Sequence, residues 1–247
     1  MDQSTMIRAD ITPVPDTPPR LDVYGAVHKG LRAFMFDTLM RVGRADPSDA
    51  AQFDEALAQT RALLSICGEH LQHENAFVHA AIEARRAGAA RRTADDHAEH
   101  EQAIAALSRE ADTLATAPPT CRGTAMHRFY LQLAHFVAEN LEHMAVEETH
   151  NTAVLRDAYS DEEIGAMLHA LVMSIPPASS AVFHRWMFAA MTHAELAGLL
   201  GALRAQAPAP VFDAEVARAR DVLPPRDWAK LTRALALPAG AAVLEPW

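Results

Sequence analysis

Apolar positions recur every three to four residues through most of the chain, and this spacing predicts helices. In LDVYGAVHKGLRAFMFDTLMRVGR (21–44), Val27, Leu31, Phe34, Met35, Thr38 and Leu39 share one face. Asp46-Pro47 reads as an N-cap followed by a first-turn proline. A long second helix is expected from Pro47 to Ala87, with Phe53, Leu57, Leu63, Cys67, Phe77 and Ala81 inward and Gly88 ending it. A third helix runs from Thr93 to Thr116, stopped by Pro118-Pro119, and a fourth from Gly123 to Ala158. Long helices joined by short links predict an all-α fold, an up-and-down four-helix bundle over 21–158. Ser160 with Glu163 and Thr192 with Glu195 read as capping boxes. Prolines at 176–177, 208, 210 and 224–225 divide the remainder into three or four shorter helices. The expected organisation is a loose arm over 1–20, the bundle over 21–158 and a helical C-terminal extension over 159–247. Neither strand alternation nor an internal repeat stands out.

The polar residues on these stripes change the picture. At about 100° per residue, Glu74 falls near the centre of the second helix's apolar stripe, with His70 on its edge. On the third helix, His100 sits with Ile104, Leu107 and Ala111, and His97 lies about 60° away. On the fourth, Phe129, Leu133, Phe136, Asn140 and Val154 define the stripe. Glu147 is central to it, His143 stands beside it, and Glu148, His127 and His135 point elsewhere. On the first, His28 shares a face with Leu31 and Met35. A buried histidine alone is ordinarily a hydrogen-bonded core residue. Two buried carboxylates need compensation, and Arg32, beside His28, is the one basic residue at a matching level. Six inward groups, His28, His70, Glu74, His100, His143 and Glu147, are best explained as surrounding metal ions. His97 stands as the alternative on the third helix. Imidazole and carboxylate together suit iron or manganese, and facing helices of a bundle suit a dinuclear site. A structural zinc would favour four ligands including cysteine.

Composition narrows the class. The 247 residues are half hydrophobic with a net charge of −10, which argues against nucleic acid or anionic membranes as partners. No apolar run reaches about 18 residues, the length of a membrane span, and no export signal is visible, so a cytoplasmic location is expected. Two cysteines, Cys67 and Cys121, do not make a disulfide framework. Cys67 reads as a small core residue. His73 is weighed as an outer partner of the site, and His150 as a residue near its mouth. His79, His127, His135, His169, His184 and His193 read as surface or ordinary packing residues.

VYGAVHKGLR (23–32), HLQHENAFV (70–78), DHAEHEQAIAAL (96–107) and EHMAVEETH (142–150) together resemble the hemerythrin-like (HHE cation-binding) proteins over about 21–158, in order and spacing. SDEEIGAMLHALVMSIPP and the helical tail resemble a long bacterial form. The resemblance implies a non-haem diiron centre, two oxo- or hydroxo-bridged iron ions, with manganese or zinc as lesser alternatives. It implies terminal ligands His28, His70, His100 (or His97) and His143, bridges Glu74 and Glu147, and a bridging solvent oxygen. Oxygen-carrying hemerythrins offer two histidines four apart on the third helix, where this chain has Asp96 at the first position. They also use an aspartate bridge where this chain has Glu147. The pattern is nearer to iron-responsive hemerythrin-like domains. The expected function is binding or sensing of O2, NO or iron and redox state. The alternative is a diiron enzyme of oxidase, peroxidase or nitric-oxide and iron-site repair type. A protein partner or a second copy would meet the C-terminal helices, and Trp186, Trp228 and Trp247 are expected to pack those helices onto the bundle.

Overall fold

The computed structural model describes residues 21–237, and all regular structure in that range is helical. The expected arm over 1–20, and Trp247, lie outside the described residues. Helix α1 spans Gly25–Arg44, and α2 spans Ala50–His73. The second helix continues without a break through a π turn, Glu74–His79, into α3, Ala80–Arg85. Helix α4 spans Arg91–Ala115 and α5 spans Pro119–Val146. A second π turn, Glu147–Asn151, leads on to α6, Thr152–Ala158. Helix α1 packs against α2 and α5, and α4 packs against α2 and α5.

The helix ends have local causes. The N-cap of α2 is Asp49, not the expected Asp46. Its carboxylate accepts from the amides of Ala51 and Gln52, while Asp46 closes a turn by accepting from the Ser48 amide. Gly88 adopts φ +81° after α3, a conformation that glycine adopts without a Cβ clash, and Glu83 secures that turn by accepting from the amides of Gly88 and Ala90. Pro119 begins α5 at its first position.

Each π turn inserts one residue into its helix and rotates everything after it. The expected inward residues Phe77 and Ala81 are only partly covered, and Val78 and Ile82 are buried in their place. On the fourth long helix, Leu155 takes the place of Val154. Two apolar clusters result. The larger, with Leu31, Phe53, Leu63, Cys67, Leu107, Phe129, Leu133 and Phe136, fills one end of these helices. The smaller, with Tyr24, Val78, Ile82, Ala90, Leu155 and Ile164, closes the other. A polar layer lies between them along all four chain segments.

Five helices follow: α7 Asp161–Ser174, α8 Pro177–Ala190, α9 His193–Gln206, α10 Ala209–Val222 and α11 Pro225–Ala234. This is more than the three or four expected. Their N-caps, Ser160, Pro176, Thr192, Pro208 and Pro224, recur at a constant interval of 16 residues. Ser160 and Thr192 form complete capping boxes, and the other three helices carry proline in the first turn. The expectation of no internal repeat fails here. EIGAMLHAL (163–171), ELAGLLGAL (195–203) and DWAKLTRAL (227–235) repeat at a spacing of 32 residues. Ile164, Leu196 and Trp228, at the same place in each, are all buried. Only acidic, apolar and alanine positions recur, a pattern too degenerate to stand out before the helix starts are known.

Helix α9 packs on α11 and α10, and α10 on α8, around Phe188, Leu196, Leu200, Phe212 and Leu231. Helix α8 in turn lies along α1. Trp186 stacks on Phe34 with ring centroids 4.3 Å apart, while Trp228 belongs to the C-terminal helices' own core. Gly30 permits the close approach, since a Cβ there would sit 2.9 Å from the Met187 Cα. Helices α7 and α8 meet at 116°, and no single helix among the described residues is long and apolar enough to cross a membrane.

Candidate metal centre

The polar layer is a cluster of buried histidine and glutamate. His28 comes from α1, His70 from α2, and Glu74 from the first residue of the first π turn. His97 and His100 come from α4, His143 from α5, and Glu147 from the first residue of the second π turn. Glu74 is 3 % exposed and Glu147 0 %.

The two carboxylates sit among the imidazoles. Glu74 Oε1 lies 3.2 Å from His70 Nε2 and 3.7 Å from His28 Nε2, while its Oε2 lies 3.5 Å from His97 Nε2. Glu147 Oε2 lies 3.3 Å from His143 Nε2 and 3.5 Å from His28 Nε2, and its Oε1 lies 3.7 Å from His97 Nε2. None of the four carboxylate oxygens has a hydrogen-bond partner, and neither do Nε2 of His28 and of His70. Buried carboxylate oxygens without partners are strongly disfavoured. A cation bound among these oxygens and ring nitrogens would compensate them. With metal–ligand bonds of about 2.0–2.2 Å, two donors to one ion stand at most roughly 4.4 Å apart. Two four-residue groups can hold an ion, His28–His70–Glu74–Glu147 and Glu74–His97–His143–Glu147. They share both glutamates.

The far side of three of the rings is also built. His28 Nδ1 lies 3.0 Å from Glu148 Oε1, His97 Nδ1 lies 2.8 Å from Asn75 Oδ1, and His143 Nδ1 lies 3.3 Å from Asp96 Oδ2. An acceptor at Nδ1 puts the proton there and turns an unprotonated Nε2 inward, the arrangement that metal-binding histidines require. Nε2 of His97 and of His143 converge to 3.0 Å.

The cluster's electrostatics describe its metal-free charge. Burial opposes a charge on His28, yet its contacts with Glu148 and Glu74 hold its pKa at about 9. His97 stands at about 9 as well, where Glu147 and Glu74 outweigh burial. Burial takes His70 and His100 down to about 4. Burial works to raise both glutamates, but the surrounding histidines hold them below the usual carboxylate range, Glu74 well below it.

Of the six residues read from the sequence, five fall in these two groups. His100 does not. Its ring stands edge-on to His143 with centroids 4.9 Å apart, and its Nδ1 has no partner. His97 occupies the place on α4 instead. His79, read as surface or ordinary packing, is 5 % exposed and belongs to the layer. Its ring stacks on His97, and its Nε2 lies 3.1 Å from Thr93 Oγ1 and 3.8 Å from Glu147 Oε1. Glu148, read as pointing elsewhere, faces His28. The first difference comes from the π turn Glu74–His79, which rotates His79 toward the seam, whereas Glu148 lies beside Glu147 at the edge of the layer that faces α1. The sequence carries no direct signal for such turns.

Tyr24 was not singled out either. It is buried over His28 at a centroid distance of 5.0 Å, and its hydroxyl accepts from Asn151 Nδ2. Burial and then the charges of Glu74 and Glu147 raise its pKa well above the usual tyrosine value. Cys67 is an inert core residue whose thiol burial pushes up to about 12. His150 lies on the surface, its Nε2 3.0 Å from the Ala89 carbonyl oxygen, away from the cluster. His184 pairs with Glu215 between α8 and α10.

No family model matches the chain, and no curated protein or solved structure matches it. The helical fold and the buried histidine–glutamate cluster are compatible with a hemerythrin-like bundle.

Proposed function

We propose that the chain is a non-haem diiron protein of hemerythrin-like type, built on an up-and-down four-helix bundle with a C-terminal helical extension. The alternation of direction has support: α1 and α4 run from the smaller apolar cluster toward the larger, and the other two long helices run the opposite way. The observation that carries the proposal is the sharing of Glu74 and Glu147 by two groups of donors. Glu74 and Glu147 would contribute to both ions, His28 and His70 would hold one of them, and His143 and a histidine of α4 would hold the other. His97 suits that last role by position, with His100 one turn away. The carboxylate and imidazole donor set favours iron or manganese over zinc.

When bound, such a pair supplies reversible one-electron chemistry and open coordination for a small ligand. The protein holds the donors in fixed tautomers and keeps bulk water away from them. We therefore assign binding or sensing of O2, NO or iron and redox state in the cytoplasm. The C-terminal helices offer the surface for a protein partner or a second copy. The two glutamate bridges also support a second reading, a diiron enzyme of oxidase, peroxidase or repair type.

Metal analysis of the full chain after anaerobic addition of Fe(II) tests the proposal. About two irons per chain are expected, with an absorption change on exposure to O2 or NO. Chain that takes up no iron overturns the reading. Stopped-flow mixing of the reduced protein separates the two functions. A change reversed by degassing marks a binder, and repeated consumption of O2 or peroxide marks an enzyme.

A further inference from the structure

We propose that Glu148, clamped by Arg32, is the positioning residue for His28 and sets the affinity of one metal position without setting that of the other. The inference rests on the dimetal reading above and concerns residues outside its ligand set.

Glu148 directly follows the bridge Glu147. On a helix, neighbouring side chains diverge by about 100°, so Glu148 stands off the centre of the seam. Its side chain, 30 % exposed, lies at the edge of the layer on the side of α1. There Glu148 Oε1 accepts from His28 Nδ1 at 3.0 Å. Arg32 Nη1 and Nη2 donate to Glu148 Oε1 and Oε2 at 2.6 and 3.0 Å, a two-pronged contact. His28 and Arg32 stand one turn apart on α1, so that helix grips a single carboxylate of the fourth long helix twice. The clamp has two consequences. It holds the His28 proton on Nδ1, leaving Nε2 to face Glu74 and Glu147. It also matches the Glu148 charge with a guanidinium, so this carboxylate stays an outer group beside the two bridging ones.

The outer partners differ around the cluster. His97 is held by a neutral amide, Asn75, and His143 by Asp96. Among the described residues, His70 has no corresponding hydrogen bond. The position served by His28 and His70 thus depends on one outer support, the Glu148–Arg32 pair. The position served by His97 and His143 has two supports of its own. Loss of an outer partner of this kind weakens metal binding by about 10- to 100-fold.

The test is anaerobic titration of the metal-stripped full chain with cobalt(II), followed by absorption and by the hyperfine-shifted exchangeable ring N–H signals in proton NMR. Wild type should bind two equivalents. Glu148→Gln keeps the side chain's size and removes its charge. It should weaken one equivalent by about 10- to 100-fold, spare the other, and move one N–H signal, that of His28. Arg32→Lys, which keeps charge but loses the fork, should move the same signal and weaken the same equivalent less. Asp96→Asn should act on the other equivalent. If Glu148→Gln and Arg32→Lys leave both equivalents and every shifted signal as in wild type, or weaken both equivalents alike, the positioning role is overturned and the dimetal reading stands. Wild-type chain that binds no cobalt overturns the dimetal reading and this inference with it.

Discussion

The first four long helices and the C-terminal helices solve the same packing problem in opposite ways. Every buried polar or charged residue among those described lies at or before Thr152. The core of α8 to α11 contains Met187, Phe188, Leu196, Leu200, Phe212, Ala219, Trp228, Leu231 and Leu235, with no ionisable side chain. Short capped helices with apolar contacts are therefore enough to assemble the C-terminal part of this molecule. The four long helices carry six imidazoles and two carboxylates through their middle, where each would be replaced at a gain by leucine if packing were the only demand. The contrast fits the proposed function, in which the polar layer holds metal and the C-terminal helices pack beside it. It also predicts that substitutions in the two regions separate cleanly into loss of metal and loss of packing.

The largest effect is expected at the bridges. Glu147→Ala or Glu74→Ala removes a donor from both groups at once. Either should abolish binding of the second ion and strongly weaken the first, measured as iron per chain after anaerobic loading. Metal held at 100 times its dissociation constant stabilises the folded state by about 2.7 kcal/mol per site. The rise in melting temperature that metal gives the wild type should therefore vanish in either variant. Retention of two irons by Glu147→Ala would remove the fourth long helix from the site.

Next is the apolar side of the comparison. Leu200 is fully buried among the C-terminal helices, and Leu200→Ala should cost about 2–5 kcal/mol. Chemical unfolding should show the loss, while the number of irons bound stays at the wild-type value. The junction comes third. A methyl at Gly30 meets the Met187 backbone, and overpacking of this kind costs about 1–3 kcal/mol. Gly30→Ala should lift α8 from α1 and change the fluorescence of Trp186, which stacks on Phe34. An unchanged emission spectrum together with unchanged stability would mean that the two regions are not held by this contact.

How far the sequence discloses this arrangement depends on periodicity. The four long segments, their proline and glycine boundaries and the inward face up to Glu74 and Glu147 follow from apolar spacing, because 3.6 residues per turn is a reliable ruler. Beyond those glutamates the ruler slips by one residue in each helix. Val78 replaces Phe77 and Leu155 replaces Val154 inside, and with Val78 the neighbouring His79 turns toward the layer. A π turn depends on a tertiary demand, here the inward direction of two carboxylates, and no residue type announces it. The choice between His97 and His100 is not made by periodicity for a related reason. Both are buried on α4, and which ring reaches the glutamates is set by the level of the neighbouring helices, a long-range quantity. The 32-residue recurrence in the tail was obscured because it conserves acidic and apolar character more than identity.

The smallest expected effect is also the most discriminating. The spacing histidine, three residues, glutamate occurs five times, as HLQHE (70–74), HAAIE (79–83), HAEHE (97–101), HFVAE (135–139) and HMAVE (143–147). In HFVAE, His135 Nε2 lies 3.2 Å from Glu139 Oε1, the same separation as between His70 and Glu74. The side chains of His135 and Glu139 are 75 % and 43 % exposed, so water screens the pair and leaves little net stabilisation. Two residues of helix phase separate His135 and Glu139 from Val137, which points inward. The motif alone is thus common to a surface pair and to the two halves of the cluster, and burial is what distinguishes them. His135→Ala should change stability by less than about 0.5 kcal/mol and leave iron content at the wild-type value. Loss of iron in His135→Ala would mean that the spacing, independent of its place in the fold, recruits metal, and the distinction between the buried and the exposed copies would fail.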